Sequence, residues 1–228
     1  MKSPILDVTL FHHNRVFTLS SLAALINYCA TFGVGFLLSL FLQIAKGYSP
    51  WQAGSILIAQ PVMQALFSPF AGRLSDRVEP QIVASVGMGF TVGGLVILSF
   101  LHEGSPLGQI ILALIFLGFG FALFSSPNTN AIMSSVERKI YGVASGVIST
   151  MRLIGQMFSM ATITLLFVYF LGRVQITPEV LSPFLKSSRI AFALFAAFCF
   201  LGIFASLSRG KIHTPPSAGG APQNPPAR

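Results

Sequence analysis

The sequence predicts an all-α membrane protein with six transmembrane helices, on three observations. Of its 228 residues, 53% are hydrophobic and only 9% are charged, with a mean hydropathy of +0.76. A soluble domain carries about a quarter charged residues to face water, so much of this chain must face lipid instead. The second observation is spacing: six apolar runs, each at least about as long as the roughly 20 helical residues that cross a bilayer core, lie between the charged positions. The third is the lack of the polar–apolar alternation over about ten residues that a barrel strand needs.

Walking from charge to charge, the expected spans are 17–44, 51–71, 81–101, 107–134, 143–171 and 188–208. Residues 1–15 read as a cytoplasmic N-terminal segment. Residues 209–228, which end in a Pro- and Gly-rich stretch, read as a disordered cytoplasmic tail. With the N-terminus inside, nine basic residues fall on the cytoplasmic side: Lys2, Arg15, Arg73, Arg77, Arg138, Lys139, Arg209, Lys211 and Arg228. Four fall opposite: Lys46, Arg173, Lys186 and Arg189. Positive charge is retained inside, so this bias sets the orientation, in the inner membrane of a cell. Tyr48 and Trp51 flank the second span, where aromatic belts lie.

The net charge of +8 is scattered between apolar runs, which argues against a nucleic-acid surface. Cys29 and Cys199 both lie inside apolar runs and make neither a redox motif nor a zinc pattern. The polar opening and the long run after it do not fit a cleavable signal peptide. No metalloprotease, nucleophile-elbow or phosphate-loop motif is present. The expectation is therefore no enzyme, no cofactor and no metal. An intramembrane enzyme would lack a nucleophile–base pair.

Polar residues inside spans carry the functional signal, because lipid penalises them. Ser145, Ser149, Arg152, Gln156, Ser159 and Thr162 follow one another at steps of 4, 3, 4, 3 and 3 along the fifth span, which places them on one helical face. Arg152 lies about 15 Å along that helix from Gly142, at about 1.5 Å per residue. The face either lines a water-accessible cavity, or the helix protrudes and Arg152 snorkels to the headgroups while the serines bond their own backbone. Gln43, Gln60, Gln64, Asn128 and Asn130 are further candidates for the lining; alternatively, each bonds a neighbouring helix. The pairs Gly89/Gly93 and Gly142/Gly146 have the spacing of close helix packing. All six carboxylates, Asp7, Asp76, Glu79, Glu103, Glu137 and Glu179, fall in loops or at ends. Any proton carrier, which must be an ionisable group within the membrane, is expected outside this chain.

Ala71-Gly72-Arg73-Leu74-Ser75-Asp76-Arg77 resembles the loop signature of the major facilitator superfamily. Gly72, Leu74, Asp76 and Arg77 match, whereas Val78-Glu79-Pro80-Gln81 stands in place of the basic continuation. Leu42-Gln43 with Gly47-Tyr48-Ser49-Pro50-Trp51-Gln52-Ala53-Gly54 is similar to the fourteen-span drug:proton antiporter family. So are Pro127-Asn128, Gly142-Val143-Ala144-Ser145-Gly146, Arg152 and Gly155, and the opening Leu6-Asp7-Val8, Leu10-Phe11, Asn14-Arg15 and Phe17-Thr18. The resemblance implies the C-terminal six-helix half-bundle of the major facilitator fold. It further implies multidrug or small-molecule efflux by proton antiport, with a central cavity lined by Arg152, Ser149, Gln156 and Ser145. Gly72, Asp76 and Arg77 would form a gating loop against a partner bundle, either an N-terminal six-helix half or a second copy; a solvated turn with a local ion pair is the alternative for Asp76-Arg77. A non-transporting membrane scaffold, or an inactive truncated transporter, is the other class of function that fits the sequence.

Overall fold

The computed structural model describes residues 14–172 and 180–209, so most of the expected N-terminal segment and tail lies outside the described residues. Seven α-helices follow one another: α1 (Arg15–Ile44), α2 (Pro50–Leu57), α3 (Ala59–Arg77), α4 (Pro80–Ser99), α5 (Leu107–Ser134), α6 (Tyr141–Phe170) and α7 (Leu181–Leu207). A 3-10 turn, Arg138–Ile140, leads into α6. Five of these helices, α1, α4, α5, α6 and α7, are long and apolar enough to cross a membrane.

The expected second span is where sequence and structure differ most. It is divided at Ile58 into α2 and α3, and neither piece passes as a span of its own. Pro61 explains the break: it has no N–H to give the Leu57 carbonyl, and its ring crowds that carbonyl. The chain still turns continuously, since Ile58 N–H donates to Gly54 and Val62 N–H donates to Ile58. The start of α2 is fixed by a reciprocal cap, in which Ser49 Oγ accepts from Gln52 N–H and Gln52 Oε1 accepts from Ser49 N–H. α3 also runs on to Arg77. The expected gating loop is therefore its last two turns, and the connection to α4 is only Val78-Glu79. The final span begins at Leu181 rather than 188, with Ser187 and Ser188 buried inside the bundle.

α1 and α5 form the centre. α5 packs on α3, α4 and α1; α1 packs on α6, α7 and α5; α4 closes on α7. Exchanging α1 with α5, α3 with α6 and α4 with α7 reproduces the same neighbours, as two three-helix repeats would. A cluster of buried residues including Leu37, Leu38, Phe41, Met88, Leu95, Leu114, Leu117, Phe192 and Phe195 fills the interior. α3 and α6 flank it with little of their own surface covered. In α3 only Ala71 and Ser75 are buried, while Val62, Leu66 and Phe70 are exposed.

Close approach is made by glycines other than the expected pairs. A methyl on Gly87 would lie 2.6 Å from the Gly120 carbonyl oxygen, and one on Gly120 would lie 2.6 Å from the Gly87 carbonyl oxygen, so α4 and α5 cross backbone to backbone there. A methyl on Gly155 would lie 2.5 Å from the Leu25 carbonyl oxygen, where α6 meets α1. Gly89, Gly142 and Gly146 face open space, and Gly93 meets only the Phe116 ring. The four-residue spacing counts glycines on one face but does not say which face a neighbour covers. Replacing Gly120 by Val should therefore destabilise the folded bundle by about 1–3 kcal/mol in detergent unfolding, the usual cost of overpacking. Gly142→Ala and Gly146→Ala, where a methyl meets open space, should be neutral or stabilising by up to about 1 kcal/mol, because Ala is the better helix former.

Candidate functional site

α6 carries the polar seam, and the structure divides it. Ser145, Ser149 and Arg152 are exposed on one side of the helix, and Gln156 is half-buried next in line. Ser159 turns inward and is fully buried, its Oγ accepting from Gly33 N–H at 3.0 Å. Thr162 donates to its own helix at Phe158. The upper part of the seam is thus open, while Ser159 fastens α6 to α1.

Gly155 brings the two helices close enough for Arg152 to reach a ring on α1. A methyl at Gly155 would sit 3.1 Å from Tyr28 Cβ. The Arg152 guanidinium carbon stands 5.2 Å from the centroid of the Tyr28 ring, within cation–π range. Tyr28 is braced edge-on by Phe121 of α5, with centroids 5.4 Å apart and planes at 72°. Three helices therefore meet at an exposed cation on an aromatic platform.

The other candidates scatter. Gln43 folds back on Ser39, donating to its carbonyl at 3.1 Å and its hydroxyl at 3.0 Å. Gln60 and Gln64 are half-buried on α3, and the Gln60 backbone carbonyl packs against Gly118 of α5. Asn130 is exposed and donates to Ser75 Oγ at 3.4 Å. Near it, a cleft of about 480 Å³ is lined by Ser75, Asp76, Pro80, Asn130, Met133, Ser134 and Tyr141. Asp76 is exposed there at the end of α3, Arg77 is exposed on a separate hollow with Phe70, Arg73 and Leu74, and the Gly72 carbonyl accepts from Ser75 Oγ at 2.7 Å.

Asn128 goes elsewhere. It is buried, and both ends of its amide are used inside the bundle: Nδ2 donates to the Ser20 carbonyl at 3.1 Å, and Oδ1 accepts from Arg209 at 2.7 Å. Arg209 itself, expected in the solvated tail, is 1% exposed. Its guanidinium also donates to Ser20 Oγ at 3.0 Å and to the Pro80 carbonyl at 3.2 Å, so it joins the ends of α1, α4, α5 and α7. Burial pulls its pKa down to about 10, which leaves it charged at neutral pH. Sequence reasoning missed this node because an arginine just beyond an apolar run reads as a loop charge. The buried partner that takes it up, Asn128, lies 81 residues away.

Comparison with known proteins gives a consistent set of matches. Residues 20–227 match the Major Facilitator Superfamily. The chain is 28% identical over 202 residues to the riboflavin transporter RibZ of Clostridioides difficile, covering 89% of this chain and 44% of that protein. It is 30% identical over 162 residues to the multidrug resistance protein Stp of Mycobacterium tuberculosis, covering 71% of this chain and 30% of the relative. It is 26% identical over 152 residues to the lincomycin resistance protein LmrB of Listeria monocytogenes, with 67% and 32% covered. The chain thus spans less than half the length of these relatives.

Removing the buried cation should be costly. Arg209→Met strands Asn128 Oδ1 and Ser20 Oγ, and should lower stability by about 2–4 kcal/mol, from roughly 1–3 kcal/mol per orphaned buried group. Asn128→Ala should cost about as much. The double variant should fall well short of the sum, because the two act as a unit. Thermal unfolding in one detergent checks all three.

Proposed function

Because this chain belongs to the Major Facilitator Superfamily, a family of membrane transporters, we propose that it is the C-terminal six-helix half of a secondary transporter that exports drugs or other small molecules by proton antiport. In this reading α2 and α3 together make a sixth crossing, bent at Pro61. The uncovered faces of α3 and α6 receive a partner bundle, either an N-terminal half or a second copy. Substrate sits between the bundles against Arg152, Ser149 and Gln156, and Gly72, Asp76 and Arg77 work as the gate contact at the end of α3, where Asp76 lines the cleft beside Asn130.

The observation that carries the proposal is the exposure of α6. In its most apolar stretch only 17% of residues are buried, against 39–56% in the other four spans. It is also the helix that bears an intramembrane arginine, and its open side holds Ser145 and Ser149 as well as apolar residues. A span facing lipid alone has no use for that seam. Proton antiport would draw its proton carrier from the partner bundle, since among the described residues Asp76, Glu79, Glu103 and Glu137 all lie at helix ends or in turns. The family likeness to a riboflavin transporter and to drug-resistance proteins supports a small organic substrate.

Inner-membrane placement with cytoplasmic termini fits the charges. One end of the bundle holds Arg15, Arg73, Arg77, Arg138, Lys139 and Arg209, while the other holds Lys46, Lys186 and Arg189. The competing reading is an inactive or scaffolding half. The two separate on a single substitution. Accumulation of a panel of anionic, neutral and cationic small dyes and drugs would be measured in an efflux-deficient bacterium expressing the chain with an N-terminal six-helix half. Arg152→Ala should abolish export at an unchanged membrane level. Export that survives the change, or that never depends on the chain, contradicts transport through this seam.

A further inference from the structure

We propose that Arg152 and Tyr28 form a subsite for the negatively charged group of a flat, conjugated organic anion, which names the substrate class of the cavity. This rests on the reading that the α6 seam faces water.

Arg152 lacks a counter-ion. No carboxylate lies in the described parts of the spans away from their ends, and among the described residues the guanidinium makes no hydrogen bond or ion pair. Its guanidinium carbon stands 5.2 Å from the Tyr28 ring centroid, and among the described residues its N–H donors make no hydrogen bond. The guanidinium's N–H edge has the fork geometry that takes a carboxylate, sulfonate or phosphate in two parallel bonds. Exposure of Arg152 puts the edge within reach of a ligand, and Ser149 lies one turn away with its hydroxyl on the same side.

The rest of the surroundings select for a ring. Tyr28 is half-buried and is held edge-on by Phe121, so it is a fixed wall rather than a swinging side chain. An aromatic body against the exposed part of Tyr28 keeps its charged end at Arg152. A cation meets the same guanidinium as a like charge, and a neutral ring gains only the stacking. The contrast with Arg209 is instructive. That arginine is buried and its two terminal nitrogens donate to an amide, a hydroxyl and a carbonyl, with Nε alone unpartnered, whereas Arg152 is left open.

Ser149→Cys, in a background with Cys29 and Cys199 changed to Ala, places a thiol beside an intact Arg152. In nanodiscs it would be labelled with an anionic sulfonatoethyl and a cationic trimethylammonium methanethiosulfonate, each rate normalised to free cysteine. The anionic reagent should react about fivefold faster or more, as a unit charge in a watery cleft several ångströms away implies. Arg152→Gln should erase that preference, and Arg152→Lys should keep most of it. No labelling by either reagent overturns both the water-facing seam and the subsite. Equal labelling leaves the seam standing and overturns the subsite. On the unaltered chain, riboflavin 5′-phosphate should bind at least about tenfold more tightly than riboflavin, a gap that closes in Arg152→Gln. Equal binding of the two flavins, or none, overturns the proposal.

Discussion

Hydrocarbon offers no hydrogen-bond partner, and the whole architecture follows from that. Every backbone N–H and carbonyl in the bilayer has to be paired within its own segment, so the chain crosses as helices. Five rods of 20 to 33 residues, counting the 3-10 turn that leads into α6, meet that demand outright. The polar residues that remain inside are then either consumed by a neighbouring helix or turned to a face where water reaches them. Asn128 and Ser159 take the first course; Ser145, Ser149 and Arg152 stay exposed on α6, and in the proposed reading they take the second. Association between the rods cannot rely on expelling water, so it rests on shape. Gly87 against Gly120 and Gly155 against Leu25 supply that shape, where bare backbones touch.

Much of the fold was legible because the constraint acts on composition. Residues 110–124 are apolar without interruption, and α5 runs through them. The second span was harder to read. Pro61, with Gln60 and Gln64 around it, breaks the helix and lowers its hydropathy, so length alone overstated its continuity. The ends of α3 and α7 were misplaced for a different reason. Charges at Arg73, Asp76 and Arg77 read as a loop, yet the backbone can stay helical when those side chains reach solvent at the bundle's end. Ser187 and Ser188 likewise looked like a polar lead-in, but they are buried once α7 packs on its neighbours.

The site divides along the same line. Helical periodicity placed Ser145, Ser149 and Arg152 on one exposed side, because that relation is local to one helix. Tyr28 could not be found that way: it reaches Arg152 only because Gly155 lets two helices distant in sequence come together. Arg209 was invisible for the same reason. Its partners Ser20, Pro80 and Asn128 come from three other stretches of the chain, and only the assembled bundle brings them to one point. The two arginines thus have opposite fates, one locking helix ends and one left open beside a ring.

The central claim is that the α6 seam meets water while the rest of that helix's uncovered surface meets lipid. Nitroxide side chains placed one at a time along 145–168, in bilayers, would read this through relaxation by oxygen and by a water-soluble nickel chelate. The chelate should dominate at 145, 149 and 152, and oxygen at 153, 157, 165 and 168. Oxygen dominating at all seven positions would contradict the seam, and with it a transport path along α6.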